Sequence, residues 1–251
     1  MAYLNKQVKP VIPGNVQNTQ FTSEDLLFDW TEFDIPRGSA ALKTVTAIIR
    51  GKDGVDQPSL QHVHLLFARS INGSAPASLG TVNGSADGTG YFNNIIGGFV
   101  LDKADALVSG LDFITIYQQG HSGAAAQGLP QISFSTEDST TAATKGTQRY
   151  YVAALHVGGS GFNFSTGVLL NQASDQATAT GSTTLTVDGT DARKVFSVGD
   201  VMVDAADATI GTVTAVSELS VTVDAVANAI TDDDELLVQS PVGLQLSFEL
   251  A

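Results

Sequence analysis

The chain has 251 residues, 43% of them hydrophobic and 15% charged, a globular composition that argues against disorder. Acidic residues number 26 against 12 Lys and Arg, and the resulting net charge of −14 disfavours nucleic acid or an anionic membrane as the main partner. With no cysteine, disulfides, thiolate nucleophiles and cysteine-based zinc sites are all excluded, which leaves packing and assembly as the sources of stability.

Residues 1–22 read as an extended N-terminal arm, because Pro10 and Pro13 block regular hydrogen bonding and polar side chains dominate. Lys6 and Lys9 are its cationic groups. Such an arm either lies across a neighbouring subunit or stays loosely ordered. It lacks the apolar run of roughly 7 to 15 residues that a signal peptide needs, and no later stretch approaches the roughly 20 apolar residues of a membrane span. The expectation is a protein made in a cytoplasm that stays soluble or assembles there.

From Leu27 onward the signals are β. Phe28, Trp30 and Phe33 to Ile35 form a first aromatic strand region, ended by the turn Pro36-Arg37-Gly38, where proline fixes φ and glycine frees it. Further strands are predicted over 43–50, 62–68, 98–101, 113–118, 131–134, 150–156 and 162–168, with one short helix over 102–109 capped by Asp102. Two connections, 70–90 and 120–128, are long and rich in small residues, which suits contact with neighbours. Asn72-Gly73 and Asn83-Gly84 are tight-turn pairs inside the first of them.

After Asn171 the composition changes. Five short strands are predicted over 183–187, 201–203, 209–216, 219–223 and 236–238, the number expected of a small barrel. Residues 172–239 carry twelve acids against Arg193 and Lys194, a net of −10 that leaves −4 for the rest of the chain. This module should therefore project toward solvent and away from copies of itself. Leu244, Leu246, Phe248 and Leu250 then alternate with Gln245, Ser247 and Glu249, the period of a half-buried strand. That last strand needs a sheet to join, and the aromatic-rich region before residue 172 offers one. The predicted fold is all-β: a β-sandwich or jelly-roll-like main domain (23–171 plus 240–251), with a small acidic five-stranded β-barrel module (172–239) inserted before the last strand.

Candidate chemistry is sparse. His62 and His64 share a strand face and would need His121 or His156 nearby to close a metal site; hydrogen-bonded strand histidines are the plainer reading. Asp232-Asp233-Asp234-Glu235, Asp188 and Asp191 supply oxygens for calcium but lack the spacing of a calcium loop, and they read as charged turns. Gly120-His121-Ser122-Gly123 and Gly158-Gly159-Ser160-Gly161 lack the spacing of a nucleophile elbow, and neither a P-loop nor a dinucleotide fingerprint is present. Trp30, Tyr91, Tyr117, Tyr150 and Tyr151 are available for a sugar platform, with core packing as the default. The sequence therefore predicts no catalytic residue, no metal and no cofactor.

The segment Phe28 to Arg50 with its Asp34-Ile35-Pro36-Arg37-Gly38 turn, the stretch His64 to Ser70, and the Gly-Thr-Val-Thr-Ala-Val motif at 211–216 resemble virion structural proteins of tailed bacteriophages, especially marine and cyanobacterial ones. The resemblance implies a non-enzymatic, oligomeric particle component located on the virion. A head decoration protein fits best, commonly a trimer that binds the major capsid protein and bridges neighbouring capsomers, with the acidic module facing outward. Lys6, Lys9 and Arg37 are then the candidate interaction residues. A tail, neck or baseplate protein, a host-attachment or glycan-binding module, and an enzyme with clustered acids remain the alternatives.

Overall fold

The computed structural model describes residues 2–50, 62–71, 74–87, 94–102, 106–107, 114–118, 132–134, 147–157, 161–164, 168–170, 176–188 and 191–251. Its strands in the first half are β1 (Ala2–Val8), β2 (Leu26–Pro36), β3 (Ala40–Arg50), β4 (His62–Arg69), β5 (Ile95–Leu101), β6 (Ala106–Leu107), β7 (Ile114–Gln118) and β8 (Ser133–Phe134). The second half adds β9 (Thr147–Val157), β10 (Val168–Leu170), β11 (Thr183–Asp188), β12 (Val201–Asp204), β13 (Thr209–Ser217), β14 (Ser220–Val223), β15 (Glu235–Val238) and β16 (Val242–Leu250). One short helix, α1 (Gly14–Gln17), and a 3-10 turn at Ala192–Lys194 complete the described elements. The chain is all-β, and among the described residues every strand pairing is antiparallel.

Among the described residues three sheets result. The first has the order β1-β16-β3-β7-β6, with β8 also paired to β3; the second is β2-β9-β4-β5; the third closes on itself as β10-β11-β14-β13-β12-β15. The first two share one core: Leu42, Val45 and Ala47 of β3 and Leu244, Leu246 and Phe248 of β16 meet Phe33, Ile35, Phe67 and Val152 from the second sheet. Aromatic rings knit the centre, where Phe134 meets Tyr150, Phe248 and Phe67 edge to face with centroids 4.8, 5.1 and 6.0 Å apart. Such geometry sets the negative face of one ring against the positive edge of another. The barrel has a core of its own, built from aliphatic residues such as Leu185, Met202, Ile210 and Val221 together with the buried ring of Phe196.

The closing strand behaves as its alternation requires. Leu244, Leu246 and Phe248 are at most 1% exposed, whereas Gln245 between them faces solvent. Although β16 follows the barrel in sequence, it pairs with β3 from Val242↔Ile49 to Leu250↔Ala40 and with β1 from Val8↔Leu244 to Ala2↔Leu250.

Four local expectations need correction. The first residues of the arm are not loosely ordered: β1 is the edge strand of the chain's own sheet, where Leu4 and Val8 bury one face. The barrel has six strands, not five, and starts earlier than residue 172, since β10 bridges β11 and β15 to close it. In the predicted helix over 102–109, Ala106 and Leu107 are instead extended and pair with Tyr117 and Ile116; 103–105 and 108–109 lie outside the described residues. Within the predicted strand 162–168, Phe162 makes only an isolated bridge to Phe21, and 165–167 are not described.

Candidate functional site

The barrel meets the two-sheet body through a polar junction. Arg50, the last residue of β3, sends Nη2 to Asp200 Oδ2 at 2.7 Å and Nη1 to the Val195 carbonyl. Asp200 is 6% exposed and also accepts from its own turn, Ser197 N at 2.7 Å, while Lys9 Nζ stands 4.0 Å from its other oxygen. A carboxylate this buried is tolerated because donors and countercharge surround it. Arg50 N additionally donates to the Pro241 carbonyl at 3.0 Å, which fixes the chain where it leaves the barrel for β16.

Residues 12–18 wedge into the same junction. Ile12 N donates to Gln239 O at 2.9 Å, and Gly14 N to Asp207 Oδ1 at 2.9 Å. Gln17, fully buried, donates from Nε2 to the carbonyls of Ile12 and Val238 at 2.7 and 3.0 Å, and Asn18 reaches Glu235. Glycine is required at 14, because a Cβ there would stand 2.2 Å from the Asp204 carbonyl oxygen. The N-terminal segment thus straps the barrel to the body.

Of the candidate interaction residues, Lys9 belongs to this junction, with its ammonium shared with Asp200. Lys6 is half-buried on β1 opposite Leu246, on the strand face it shares with Leu4 and Val8. Arg37 is exposed in the bend between β2 and β3, beside Gly38 at φ 131°. The three do not converge on one site.

The long connection 70–90 is partly described, and its described portion folds back on its own sheet. Leu79 is buried against Leu26 and Ala153 on the outer face of the second sheet, Leu79 N and Ser78 Oγ donate to the Asp29 carboxylate at 3.0 and 2.5 Å, and Trp30 Nε1 donates to Ala77 O at 2.9 Å. Trp30 is therefore a packing residue here. Asn83 has φ 63° in a turn whose Gly84 N donates to Thr81 O at 3.1 Å, and Ile71 and Ser74 bridge each other across Asn72-Gly73, which lie outside the described residues. Residues 120–128, Tyr91, His121 and the glycine loop 158–160 also lie outside them.

The described histidines do not assemble. His62 and His64 share the outer face of β4, and His62 Nδ1 sits 3.5 Å from Asp102 Oδ1 just after β5. His156 pairs across from Val63 and so points to the opposite, buried face, where Nδ1 meets Thr22 O at 2.7 Å. Burial pushes His64 below its ordinary 6.5. Among the described residues no group of three metal-ligating side chains forms.

The acids of the barrel serve turns. Asp191 caps the 3-10 turn through Arg193 N and holds the Arg193 guanidinium at 2.7 Å, and Asp234 accepts from Thr231 N at 2.6 Å. Asp224 accepts from Thr212 N and Ala225 N, both within 2.9 Å. These bonds hold Asp191 and Asp224 below the usual carboxylate value of 3.8, through Arg193 in the first case and backbone N–H donors in the second. On the outer face of the second sheet, Arg149 joins Glu32 at 3.1 Å and Asp34 at 3.5 Å, an exposed cluster beside Tyr151. Tyr117, Tyr150 and Tyr151 are buried.

The polar junction was not legible in advance, since Arg50 and Asp200 are 150 residues apart. A faint signal exists in Ser197-Val198-Gly199-Asp200, a turn that ends on a carboxylate. Comparison with protein-family models and with curated proteins gives no match. Among solved structures, the chain is similar to a VP2 subviral particle of infectious bursal disease virus, at 9% identity over 99% of this chain and 42% of that one, with a TM-score of 0.20. A structure of the Gx strain of the same virus gives 12% identity over 100% and 42%, with a TM-score of 0.15. The chain spans about two fifths of the length of those chains, and superpositions of this quality establish neither a shared fold nor a shared role.

Proposed function

We propose that this protein is a non-enzymatic virion structural component of a tailed phage, a head decoration protein that binds the capsid lattice through its two-sheet body and turns its acidic barrel outward. In this reading the body is a jelly-roll-like sandwich and the barrel an inserted module. The observation that carries the proposal is the fixed mounting of a strongly acidic barrel. Chain connections lead through β10 and Pro241, the strap at 12–18 and the Arg50–Asp200 pair hold it, and a net charge of −10 across 172–239 keeps it in solvent. A fixed, solvent-facing mount is what a surface protein in an ordered array requires. The partners are the major capsid protein or neighbouring virion proteins and further copies of the chain.

Cosedimentation of the purified chain with phage heads that lack it tests the reading. Uptake is expected to survive Asp232→Ser, Asp233→Ser and Asp234→Ser together on the barrel, and to fall when Lys6 and Arg37 on the body become Glu. Uptake lost with the barrel substitutions and kept with the body substitutions would reverse the assigned orientation.

A further inference from the structure

Tyr3 projects from β1 with 71% of its surface exposed, beside a recess of about 330 Å³. The recess opens where β16, β3 and β8 end. Ala40, Ala41 and Leu250 supply apolar walls, with Ser133 and Glu249 at its border. Tyr3 lies directly across from Glu249 in the β1–β16 register, and Ala41 is the next residue across on β3, so knob and hole are neighbours on one sheet. A recess of this size is at the small end for ligand pockets and suits one aromatic side chain.

The surrounding face is unusual for so acidic a chain. The next row across the sheet is Asn5, Ser247 and Thr44, and the row beyond it is Gln7, Gln245 and Thr46, all uncharged. Lys43 and Glu249 beside the recess neutralise each other at 2.5 Å. Copies carrying −14 each repel through most of their surface, above all through the barrels, so association is favoured where no net charge is brought together.

We infer that this face is the contact between two copies of the chain, with Tyr3 of each copy seated in the recess of the other across a two-fold axis. Adjacent knob and hole are filled simultaneously by a two-fold, the isologous arrangement in which one patch meets itself. The Lys43–Glu249 pairs then abut in opposite order, each cation facing the other copy's carboxylate. Exposed tyrosine is the residue type that most often anchors such contacts, since a large amphipathic ring is buried with few torsions to freeze. A two-fold pair departs from the trimer implied by the phage resemblance. The inference rests on the proposed function only for the claim that copies associate.

Sedimentation equilibrium of the full chain across micromolar concentrations tests it, with particle uptake measured separately so that pairing and virion role fail independently. The wild type is expected to show the mass of a dimer. Tyr3→Glu, which charges the knob, and Ser133→Trp, which fills the recess from an exposed position, are each expected to raise the dissociation constant by roughly thirtyfold or more, with the circular dichroism spectrum unchanged. A monomeric wild type, a trimer, or a dimer that either folded variant leaves intact would overturn the inference.

Discussion

Arg50 at the end of β3 and Asp200 just before β12 form a 2.7 Å ion pair that joins the two-sheet body to the barrel, with the Asp200 side chain 6% and the Arg50 side chain 21% exposed. The pair brings together residues that no local pattern links. Through it, the strand that carries the body's core also sets the direction in which the barrel points.

Asp200→Asn takes the Asp200 carboxylate away from Arg50 in a largely desolvated place, and a loss of roughly 3 kcal/mol in unfolding free energy is expected. The double variant Arg50→Met, Asp200→Leu should recover part of that loss, because no stranded charge remains. Urea denaturation of the three proteins measures both effects, and hydrogen exchange should show faster exchange at Val195 to Asp200 in the single variant.

Gly14→Ala places a methyl group 2.2 Å from the Asp204 carbonyl oxygen and 3.3 Å from Val203 Cγ2, so α1 has to back away from β12. The expected cost is roughly 1 to 3 kcal/mol. Limited proteolysis should report it as earlier cleavage within residues 9–18, with β1 and the barrel strands cut later.

Phe248→Ala removes a fully buried ring that meets Phe134 at 5.1 Å and Phe33 at 6.0 Å. A loss of roughly 3 to 5 kcal/mol is expected. Calorimetry should place the loss in the transition of the body, since the barrel has a separate core.

Acidification should weaken the fold in two stages. Burial lowers the His64 value below 6.5, so its neutral form is favoured on folding; that contribution is complete above pH 6.5 and is lost as pH falls through the lower folded value. Asp191 and Asp224 are depressed from 3.8, so their contribution is present above that value and disappears as pH falls through their folded values. His64→Gln should flatten the first stage, and Asp191→Asn with Asp224→Asn the second, in melting temperatures recorded from pH 8 downward.

The all-β class was legible because burial on one face of a strand leaves a period of two. Leu244 to Leu250 shows it plainly, and so do the barrel strands from Thr183 to Val238, whose bounds fall within one or two residues of the observed ones. β10 was not legible, since three residues carry no period and only their partners β11 and β15 make them a strand. β1 was hidden by its polar outer face and the prolines after it, although Leu4 and Val8 sit at the right spacing. Asp102 resembled a helix cap, yet Ala106 and Leu107 take the place that β7 offers them. The proposed two-copy face was equally silent, because Tyr3 and Glu249 meet only when the two ends of the chain pair.

The most direct test of the proposed role is a cryo-electron microscopy map of phage particles that contain the protein. The account predicts density for the two-sheet body on the capsid exterior at regular lattice positions, with the barrel as its outermost feature. Density confined to the tail, or a barrel turned inward against the capsid, would contradict it.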